Sequence, residues 1–242
     1  MRIPRIYLPD ADTSGHQLAL PEGAFGHLVR VLRMSDGAAL EVFNGRGQRF
    51  RAELVAVGKR DASVKVLDAL PSQTESPLHT HLGLVLSKGD RFDYALQKAT
   101  ELGVSAITPL NSERCDLKLK ADRQEKKIQH WQGVLASACE QCGQDRLPAL
   151  GEIQSLEEWV TAQDSALKLV LHTSAEKPNF PEASPASVSF LIGPEGGLTD
   201  LEVTAATKAG FQSWQLGPRV LRTETAPVVM LALLQQRWGD FL

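Results

Sequence analysis

The sequence predicts an α/β protein in which a small N-terminal β domain precedes a larger domain with a mainly parallel sheet. Three observations support this fold class. Short runs of alternating apolar and polar residues, separated by turn residues, lie before residue 70. The segment 71–77 has no apolar rhythm and is typical of a linker. Beyond it, strand-like runs alternate with helix-like runs, which is the pattern of a parallel sheet covered by helices.

The elements of the N-terminal part are predicted from periodicity and turn residues. Its strands are expected at 39–43, 49–57 and 62–67. The turns Asn44-Gly45 and 58–61 separate these runs and are typical of hairpins. Before them, the apolar residues of 23–34 recur at helical spacing and predict a short amphipathic helix. Residues 1–70 are therefore interpreted as a barrel-like β domain.

Residues 78–242 are predicted to form the larger domain. Its strand-like runs are 81–87, 104–110, 167–172, 188–193 and 213–217. Its helix-like runs are 91–103, 121–143, 200–209 and 225–238. Thr199 and Glu202 have the spacing of a capping box, and Pro227 is tolerated in the first turn of the last helix. Because strands alternate with helices, we expect a mainly parallel sheet.

The composition is that of a globular protein, with 43% hydrophobic and 23% charged residues. The net charge of −3 excludes a general polycation, but residues 1–70 hold 10 Lys and Arg against 8 Asp and Glu. This slight basic excess favours an anionic partner. The N-terminus lacks the apolar core of a signal peptide, and no apolar run is long enough to cross a membrane. A cytoplasmic protein without a membrane partner is expected.

The three cysteines include the spacing Cys139-x-x-Cys142, which is compatible with a redox pair or a metal site. No second Cys pair or His pair completes a zinc site, and the two residues lie in a stretch with helical spacing. Both are interpreted as small buried residues on the inner stripe of the predicted helix 121–143. No metal is predicted.

Three of the predicted strands end in unusual sequences. His172-Thr173-Ser174 follows the first, "GPEGG" follows the second and "GPRVLRTETAP" follows the third. Ligands of open α/β sheets bind outside the carboxyl ends of strands, so we expect the three ends to line one pocket. The glycines allow the backbone to approach a ligand closely. Neither the phosphate-loop motif nor the dinucleotide fingerprint G-x-G-x-x-G is present, which indicates a different binding device.

"LIGPEGGLTDLE" and "LGPRVLRTETAP" together resemble the paired motifs of SPOUT methyltransferases, whose C-terminal half forms a deep trefoil knot. More narrowly, the chain resembles the RsmE family of bacterial 16S rRNA uridine N3-methyltransferases. The further matching stretches are "RIPRIYLP", "HLVRVLRM", "KGDRFDYALQKATELGVSAITPLNSERC" and "ACEQCG". The resemblance implies a PUA-like RNA-binding domain over 1–70 and a SPOUT α/β knot domain over 78–242. It also implies S-adenosylmethionine as cofactor, 16S rRNA within the small ribosomal subunit as substrate, and an obligate homodimer.

Methylation at uridine N3 requires that the imino proton leaves or that the anion is stabilised as it forms. The two loops offer Arg222, Glu195 and Glu224 for this chemistry. We expect Arg222 to stabilise the developing negative charge, and Glu195 or Glu224 to assist deprotonation directly or through water. Two alternatives stay open. Glu195 is also compatible with a purely structural helix N-terminal acid, and Glu224 with an ion pair to Arg219 or Arg222.

The cofactor is expected in the pocket that the two motifs form. The glycines admit its backbone contacts, the leucines are expected to wall the adenine, and Thr223 is expected to cap the last helix as well. Ordinary core packing is the alternative for the leucines, and a hydrogen-bonded strand-end histidine for His172. The predicted cofactor-binding residues are Leu171, His172, Gly193, Pro194, Gly196, Gly197, Leu216, Gly217, Leu221, Arg222 and Thr223.

A set of basic residues is predicted to bind RNA, because arginine suits bidentate contacts with phosphate. Arg30 and Arg33 are expected to share one helix face. Gln144 stands where the RsmE family usually has arginine, and Arg146 follows two residues later, so a contact assigned to that arginine stays open. The alternative for each residue is a solvated surface position. The predicted RNA-binding residues are Arg2, Arg5, Arg30, Arg33, Arg49, Arg51, Lys88 and Arg91.

The sequence leaves two other functions open. The same fold is compatible with methylation of a ribose 2′-hydroxyl or another base, and the chain is also compatible with a non-catalytic RNA-binding factor of ribosome assembly. The two glycine-rich loops argue against the second function, because a pure binding protein does not need a cofactor pocket.

Overall fold

A computed structural model describes residues 3–12, 15–72, 75–115, 121–173 and 178–241. It divides the chain into two compact units. The first comprises Met1–Glu75 with Ala136–Leu147, and the second comprises Ser76–Leu135 with Pro148–Leu242. The change from one unit to the other at Glu75 falls inside the stretch that was predicted as a linker, of which residues 73 and 74 lie outside the described part.

The first unit is built on a five-stranded sheet in the order β1-β3-β4-β5-β2. Its strands are β1 (Arg5–Tyr7), β2 (Gln17–Ala19), β3 (Ala39–Phe43), β4 (Arg49–Val55) and β5 (Ser63–Leu70). β1 and β3 are parallel, and the other pairs are antiparallel. The alternating residues of β3, β4 and β5 that face inward are buried with Phe25 and Leu28 in one core, as the alternation predicted.

The predicted helix over 23–34 differs from the structure in both its form and its end. An α-helical turn, α1 (Glu22–Phe25), continues as a π-helical segment over Gly26–Val31. Arg33 lies beyond this segment in the left-handed region, with φ 54°. The expectation that Arg30 and Arg33 share a helix face is therefore wrong, because the helix ends before Arg33. The hydrogen bond from the Met34 N–H to the Leu28 carbonyl closes this turn.

The segment 136–147 is held in the first unit by polar contacts to the β-sheet. Arg5 donates to Asp145 Oδ1 at 2.9 Å and to the Gln144 carbonyl at 3.2 Å. The Tyr7 N–H donates to Glu140 Oε1 at 3.0 Å. Burial raises the pKa of Glu140, since it disfavours the charged carboxylate. Gln144 thus contributes its backbone to this contact, whatever side chain stands at that position.

The predicted RNA-binding role of Arg5 is corrected by its surroundings. Its side chain is only 7% exposed, pairs with the fully buried Asp145 and stacks 4.8 Å from the centre of the Phe43 ring. A guanidinium in this environment is not available to a phosphate. Arg49 is partly engaged as well, because its Nε donates to the Pro71 carbonyl at 2.9 Å and its guanidinium lies 3.9 Å from Glu41.

The Arg5→Ala variant should lose stability rather than RNA affinity alone. Removing one partner of a buried pair leaves the Asp145 charge poorly compensated, which costs roughly 3–5 kcal/mol. Denaturant unfolding measures this loss. The matched Arg51→Ala variant removes an exposed ion pair with Asp68 and should cost less than about 1 kcal/mol. Equal unfolding midpoints for Arg5→Ala and the wild type would contradict a structural role for Arg5.

The second unit contains a seven-stranded sheet in which every pairing is parallel. Its strands are β6 (His79–Val85), β7 (Ala106–Asn111), β8 (Ala149–Leu150), β9 (Gln154–Ser155), β10 (Leu167–Leu171), β11 (Ser187–Ile192) and β12 (Gln212–Trp214). Their order is β12-β10-β11-β6-β7-β8, and β9 also pairs with β7. The expected parallel sheet is confirmed, and its central strands are apolar because both faces are covered.

The helices of the α/β part begin and end near the predicted residues. They are α2 (Arg91–Glu101), α3 (Ala121–Cys142), α4 (Leu156–Ala162), α5 (Asp200–Lys208) and α6 (Ala226–Trp238). The predicted capping box of Thr199 and Glu202 is present at the start of α5. The sequence interpretation missed α4, although Ser155 and Glu158 form a second capping box there. β1, β2, β8 and β9 were also missed, because each has only two or three residues.

The cysteine interpretation is correct for one residue of the pair and wrong for the other. Cys139 is buried, and burial raises the pKa of its thiol to about 12, because it disfavours the thiolate. Cys142 is exposed, although it lies one helical turn away. The inner stripe of α3 therefore ends at Cys139, after the buried Trp131 and Leu135.

His81 is a titratable group packed inside the second unit. Its Nε2 lies 2.8 Å from Thr108 Oγ1 and accepts a hydrogen bond from Trp159 Nε1 at 3.4 Å. Burial, and then the nearby His79, lower the pKa of His81 to about 4. Below the usual histidine pKa, the unfolded chain therefore binds a proton that the folded protein does not.

Stability should consequently fall as the pH is lowered from about 6.5 to about 4. The slope from this residue is at most about 1.4 kcal/mol per pH unit. Denaturant unfolding at several pH values measures it. The His81→Gln variant lacks the titrating ring and should have a shallower slope in this window. An unchanged slope in the variant would show that His81 does not carry this acid sensitivity.

Candidate active site

The three unusual strand ends meet in the second unit, at the carboxyl edge of the parallel sheet. They line one cavity of about 600 Å³. β10 contributes Leu171, His172 and Thr173, β11 contributes 192–198, and β12 contributes 214–223. The strand order places β10 between β11 and β12, so the three ends are adjacent. The predicted common pocket is thus present, for the reason that parallel strands end at one edge.

The loop after β11 is a tight turn that brings its backbone to the cavity. The Gly197 N–H donates to the Pro194 carbonyl at 2.9 Å, and Gly197 has φ 71°. A Cβ added to Gly193 would lie 2.8 Å from Leu198 Cγ. Leu198 itself lines the cavity, so Gly193 is required by close packing and Gly197 by its left-handed backbone.

The loop after β12 leads into α6 through a second turn. The N–H groups of Thr225 and Ala226 both donate to the Arg222 carbonyl, at 2.9 and 3.0 Å. Thr225 is the N-cap residue of α6, and no side-chain cap bond is present there. Thr223 therefore does not cap this helix, contrary to the expectation. Its Oγ1 is buried and has no hydrogen-bond partner, so it is available to a bound group.

The structure brings together every predicted cofactor-binding residue. The lining of the cavity includes Leu171, His172, Gly193, Pro194, Gly196, Gly197, Leu216, Gly217, Leu221, Arg222 and Thr223. The three leucines are half-buried and also pack against the hydrophobic core. The His172 N–H donates to the Trp214 carbonyl at 3.1 Å, which fixes the start of the loop. Their binding role itself remains a prediction.

The three candidate catalytic residues have different environments. Arg222 is exposed and lines the cavity, and no ion pair joins it to another described residue. Glu195 accepts a hydrogen bond from Arg91 Nη1 at 2.8 Å. Glu224 lines a second cavity beside the first, and its Oε2 is buried without a hydrogen-bond partner. The two carboxylates, either of which was predicted to assist deprotonation, therefore lie in different environments.

Both structural alternatives for the carboxylates are wrong. Glu195 lies before the Thr199 N-cap, so it is not in the first turn of α5, where Asp200 and Glu202 provide the acidic groups. Among the described residues, no ion pair joins Glu224 to Arg219 or Arg222. The two structural roles that the sequence left open are therefore absent, although Glu195 is held by its ion pair with Arg91.

Arg114 is a site residue that the sequence interpretation missed. It follows the carboxyl end of β7 and lines the cavity. Its Nη1 donates to the Gly196 carbonyl at 3.1 Å, and the neighbouring Glu113 N–H donates to Glu202 Oε1 at 2.8 Å. These two bonds hold the loop after β11. Arg114 could have been predicted from the sequence, because it follows a strand of the parallel sheet, as the other predicted pocket residues do.

A second cavity of about 1090 Å³ lies beside the first. Arg91, Arg114, Glu195 and Gly196 line both cavities, so the two cavities adjoin along these residues. Two predicted RNA-binding residues, Lys88 and Arg91, are found here. The Arg91 side chain is 43% exposed, although it is paired with Glu195.

The remaining predicted RNA-binding residues lie in the first unit. Arg30 is exposed and lies over the Phe25 ring at 5.3 Å. Arg33 is exposed too, and Arg51 forms an exposed ion pair with Asp68. Arg2 lies outside the described residues. The structure is compatible with RNA contacts at Arg30, Arg33 and Arg51, and these contacts remain predictions.

Comparison with known proteins identifies the family. A family model described as an RNA methyltransferase domain matches residues 74–235, and one described as an RNA methyltransferase PUA domain matches residues 20–67. A ribosomal RNA small subunit methyltransferase E from Buchnera aphidicola is 35% identical over 99% of this chain and 98% of its own length. The chain belongs to the ribosomal RNA small subunit methyltransferase E (RsmE) family. The resemblance inferred from the loop motifs is confirmed.

Two solved structures are similar over their full lengths. A methyltransferase from Legionella pneumophila, in complex with S-adenosylmethionine, has a TM-score of 0.95 at 40% identity and covers 100% of both chains. The methyltransferase E from Neisseria gonorrhoeae, also bound to S-adenosylmethionine, has a TM-score of 0.91 at 38% identity and covers 100% of both chains. The predicted fold class, a SPOUT-type α/β knot domain with a PUA-like N-terminal domain, is confirmed.

The described residues offer neither a metal-ligand cluster nor a membrane-spanning helix. No group of three or more His, Cys, Asp and Glu side chains in the described part is placed to hold a metal ion. Within the same residues, no helix is both long enough and apolar enough to span a membrane.

Gly193→Ala should destabilise the protein, because the new methyl group would displace Leu198. Such overpacking costs roughly 1–3 kcal/mol. Gly133→Ala is the matched control, since an added Cβ in this exposed part of α3 meets no atom within 4 Å. Alanine should stabilise that helix by up to about 1 kcal/mol. Thermal unfolding compares the two variants. A Gly193→Ala protein as stable as Gly133→Ala would show that the loop does not need this close approach.

Proposed function

We propose that this protein transfers a methyl group from S-adenosylmethionine to N3 of a uridine in 16S rRNA of the small ribosomal subunit. Membership of the RsmE family supports an RNA methyltransferase, and two relatives in solved structures bind S-adenosylmethionine. One observation carries the proposal for this chain. The ends of β10, β11 and β12 form a single cavity that contains all the residues expected to hold the cofactor.

The cavity fits S-adenosylmethionine in size and in chemistry. Its volume of about 600 Å³ is that of a small-molecule site. Leu171, Leu216 and Leu221 offer apolar walls for the adenine, and the glycine turns offer backbone groups for its polar edge. The unpartnered hydroxyl of Thr223 supplies a further donor and acceptor. These residues would hold the cofactor.

When bound, S-adenosylmethionine supplies an electrophilic methyl group on a positively charged sulfur. The protein's own residues must orient the uracil and manage its imino proton, because a neutral N3 is a poor nucleophile. Arg222 is suited to stabilise negative charge on the uracil, since its exposed guanidinium has no ion-pair partner among the described residues. Glu195 and Glu224 are the candidate proton acceptors. Glu195 lines both cavities, and Glu224 lines the second.

The proposal includes a homodimer that acts in the cytoplasm. The resemblance to the RsmE family supports the dimer and the ribosomal substrate. The exposed arginines of the first unit, Arg30, Arg33 and Arg51, are proposed to contact rRNA phosphates. These contacts would position the substrate without specifying the nucleotide.

Purified protein should convert a uridine in small subunits from a strain lacking the gene into 3-methyluridine. Labelled S-adenosylmethionine followed by digestion and mass spectrometry of the nucleosides measures the product. The Arg222→Ala variant should lose activity by about 10²–10³-fold in kcat, because charge on the uracil is no longer stabilised. Arg222→Lys, which keeps a cation, should lose less. Circular dichroism verifies that each variant is folded, and calorimetry measures whether it still binds the cofactor.

Other products would decide between the alternatives. Label on a ribose or on another base would contradict the N3 assignment and leave the methyltransferase family intact. A protein that gives no heat with S-adenosylmethionine, yet binds the subunit, would support the non-catalytic assembly factor. Full activity of Arg222→Ala would remove that residue from the mechanism.

A further inference from the structure

The second cavity has a lining unlike that of the first. Among the described residues, it is lined by three cations, three carboxylates and one aromatic ring, with small or uncharged groups between them. These residues are Lys88, Gly89, Asp90, Arg91, Tyr94, Arg114, Glu195, Gly196, Glu224 and Thr225. Cations beside a single exposed ring suit a ligand that carries both phosphate and a flat base. They do not suit an apolar ligand.

Among the described residues that line the second cavity, Tyr94 is the only aromatic one. It is 47% exposed, although it lies on α2 between the buried Phe92 and Ala95. Arg91 precedes it by three residues, so the guanidinium and the ring lie on one face of the helix. Every base has a flat face that can stack on such a ring, while a neighbouring arginine contacts the phosphate.

The environment of Glu224 distinguishes it from Glu195. One oxygen of Glu195 is already bound by Arg91 at 2.8 Å. Glu224 Oε2 is buried and has no hydrogen-bond partner. A buried carboxylate oxygen without a donor is costly, and a base N–H that enters the cavity would supply one. Glu224 lines the second cavity and not the first, so its donor should come from the second.

We propose that the second cavity holds the target nucleotide, with its base stacked on Tyr94 and its N3–H donated to Glu224. This inference rests on the proposed function, since it places the methyl acceptor of that reaction. Because four residues line both cavities, a nucleotide in the second cavity would adjoin the first, which Arg222 lines. As N3 is methylated, the N3–H bond breaks and its proton passes to the Glu224 carboxylate. The electron pair left on N3 would form the new bond to the methyl carbon, while the pair of the methyl–sulfur bond would stay on sulfur and S-adenosylhomocysteine would leave.

Tyr94→Ala should raise the KM for small subunits roughly tenfold, because the stacking platform is lost. The Kd for S-adenosylmethionine should not change, since Tyr94 does not line the cofactor cavity. Tyr94→Phe keeps the ring, so its KM for small subunits should stay close to that of the wild type. Leu201→Ala is a control for the loss of an exposed apolar side chain, because Leu201 is 78% exposed and lies outside both cavities. It should leave the KM unchanged.

Glu224→Gln should lower kcat by roughly a hundredfold at neutral pH and leave the cofactor Kd unchanged. The loss of kcat relative to the wild type should become smaller as the pH is raised, because the uracil N3–H then ionises without a protein base. A merely structural role for Glu224 would not produce that pH-dependent recovery. Glu195→Gln should show a smaller loss of kcat, since Arg91 already occupies its carboxylate.

Several outcomes would overturn the inference. These are an unchanged KM in Tyr94→Ala, a Tyr94→Phe variant as defective as Tyr94→Ala, or a Glu224→Gln deficit that is constant with pH. If Tyr94→Ala changes the oligomeric state, measured by light scattering, and leaves the KM unaltered, the cavity belongs to a contact with a second copy of the chain.

If the wild type makes no 3-methyluridine, the proposed function fails. The affinity of oligouridylate for Tyr94→Ala and wild type then still decides whether the cavity binds a nucleotide.

Discussion

Parallel strand pairing is the constraint on which the rest of the α/β unit depends. All residues of the two cavities lie at or beyond the carboxyl ends of β6, β7, β10, β11 and β12. Parallel strands require a crossover between neighbours, so loops distant in sequence end at the same edge. If any of these strands ran in the opposite direction, its loop would move to the far edge and leave the site incomplete.

The loops at this edge are held by a few specific bonds rather than by extensive packing. Arg114 donates to the Gly196 carbonyl, Arg91 pairs with Glu195, and the turn at Gly197 closes on Pro194. Four of these residues, Arg91, Arg114, Glu195 and Gly196, line both cavities. The two cavities therefore adjoin along these four residues.

The first unit uses arginine in two physically different ways. Arg5 is buried against Asp145 and helps to hold the segment 136–147, so its charge serves folding. Arg30 and Arg33 are exposed near a π-helical segment, and their charges remain accessible to solvent. Residue type alone did not separate these cases. The distinction depends on whether a buried carboxylate lies within reach, and Asp145 is 140 residues from Arg5 in sequence.

The sequence by itself determined the α/β class, most element positions and eleven of the residues that line the first cavity. These depend on local signals: the two- and 3.6-residue periods of the strands and helices, and the glycine turns at the strand ends. Only the tertiary structure decided which charged groups are engaged. The Arg91–Glu195 pair, the Arg114 bond to Gly196 and the unpartnered Glu224 oxygen all depend on how distant segments meet. Periodicity is set within one element, whereas an ion pair or a buried polar atom is set by the path of the whole chain.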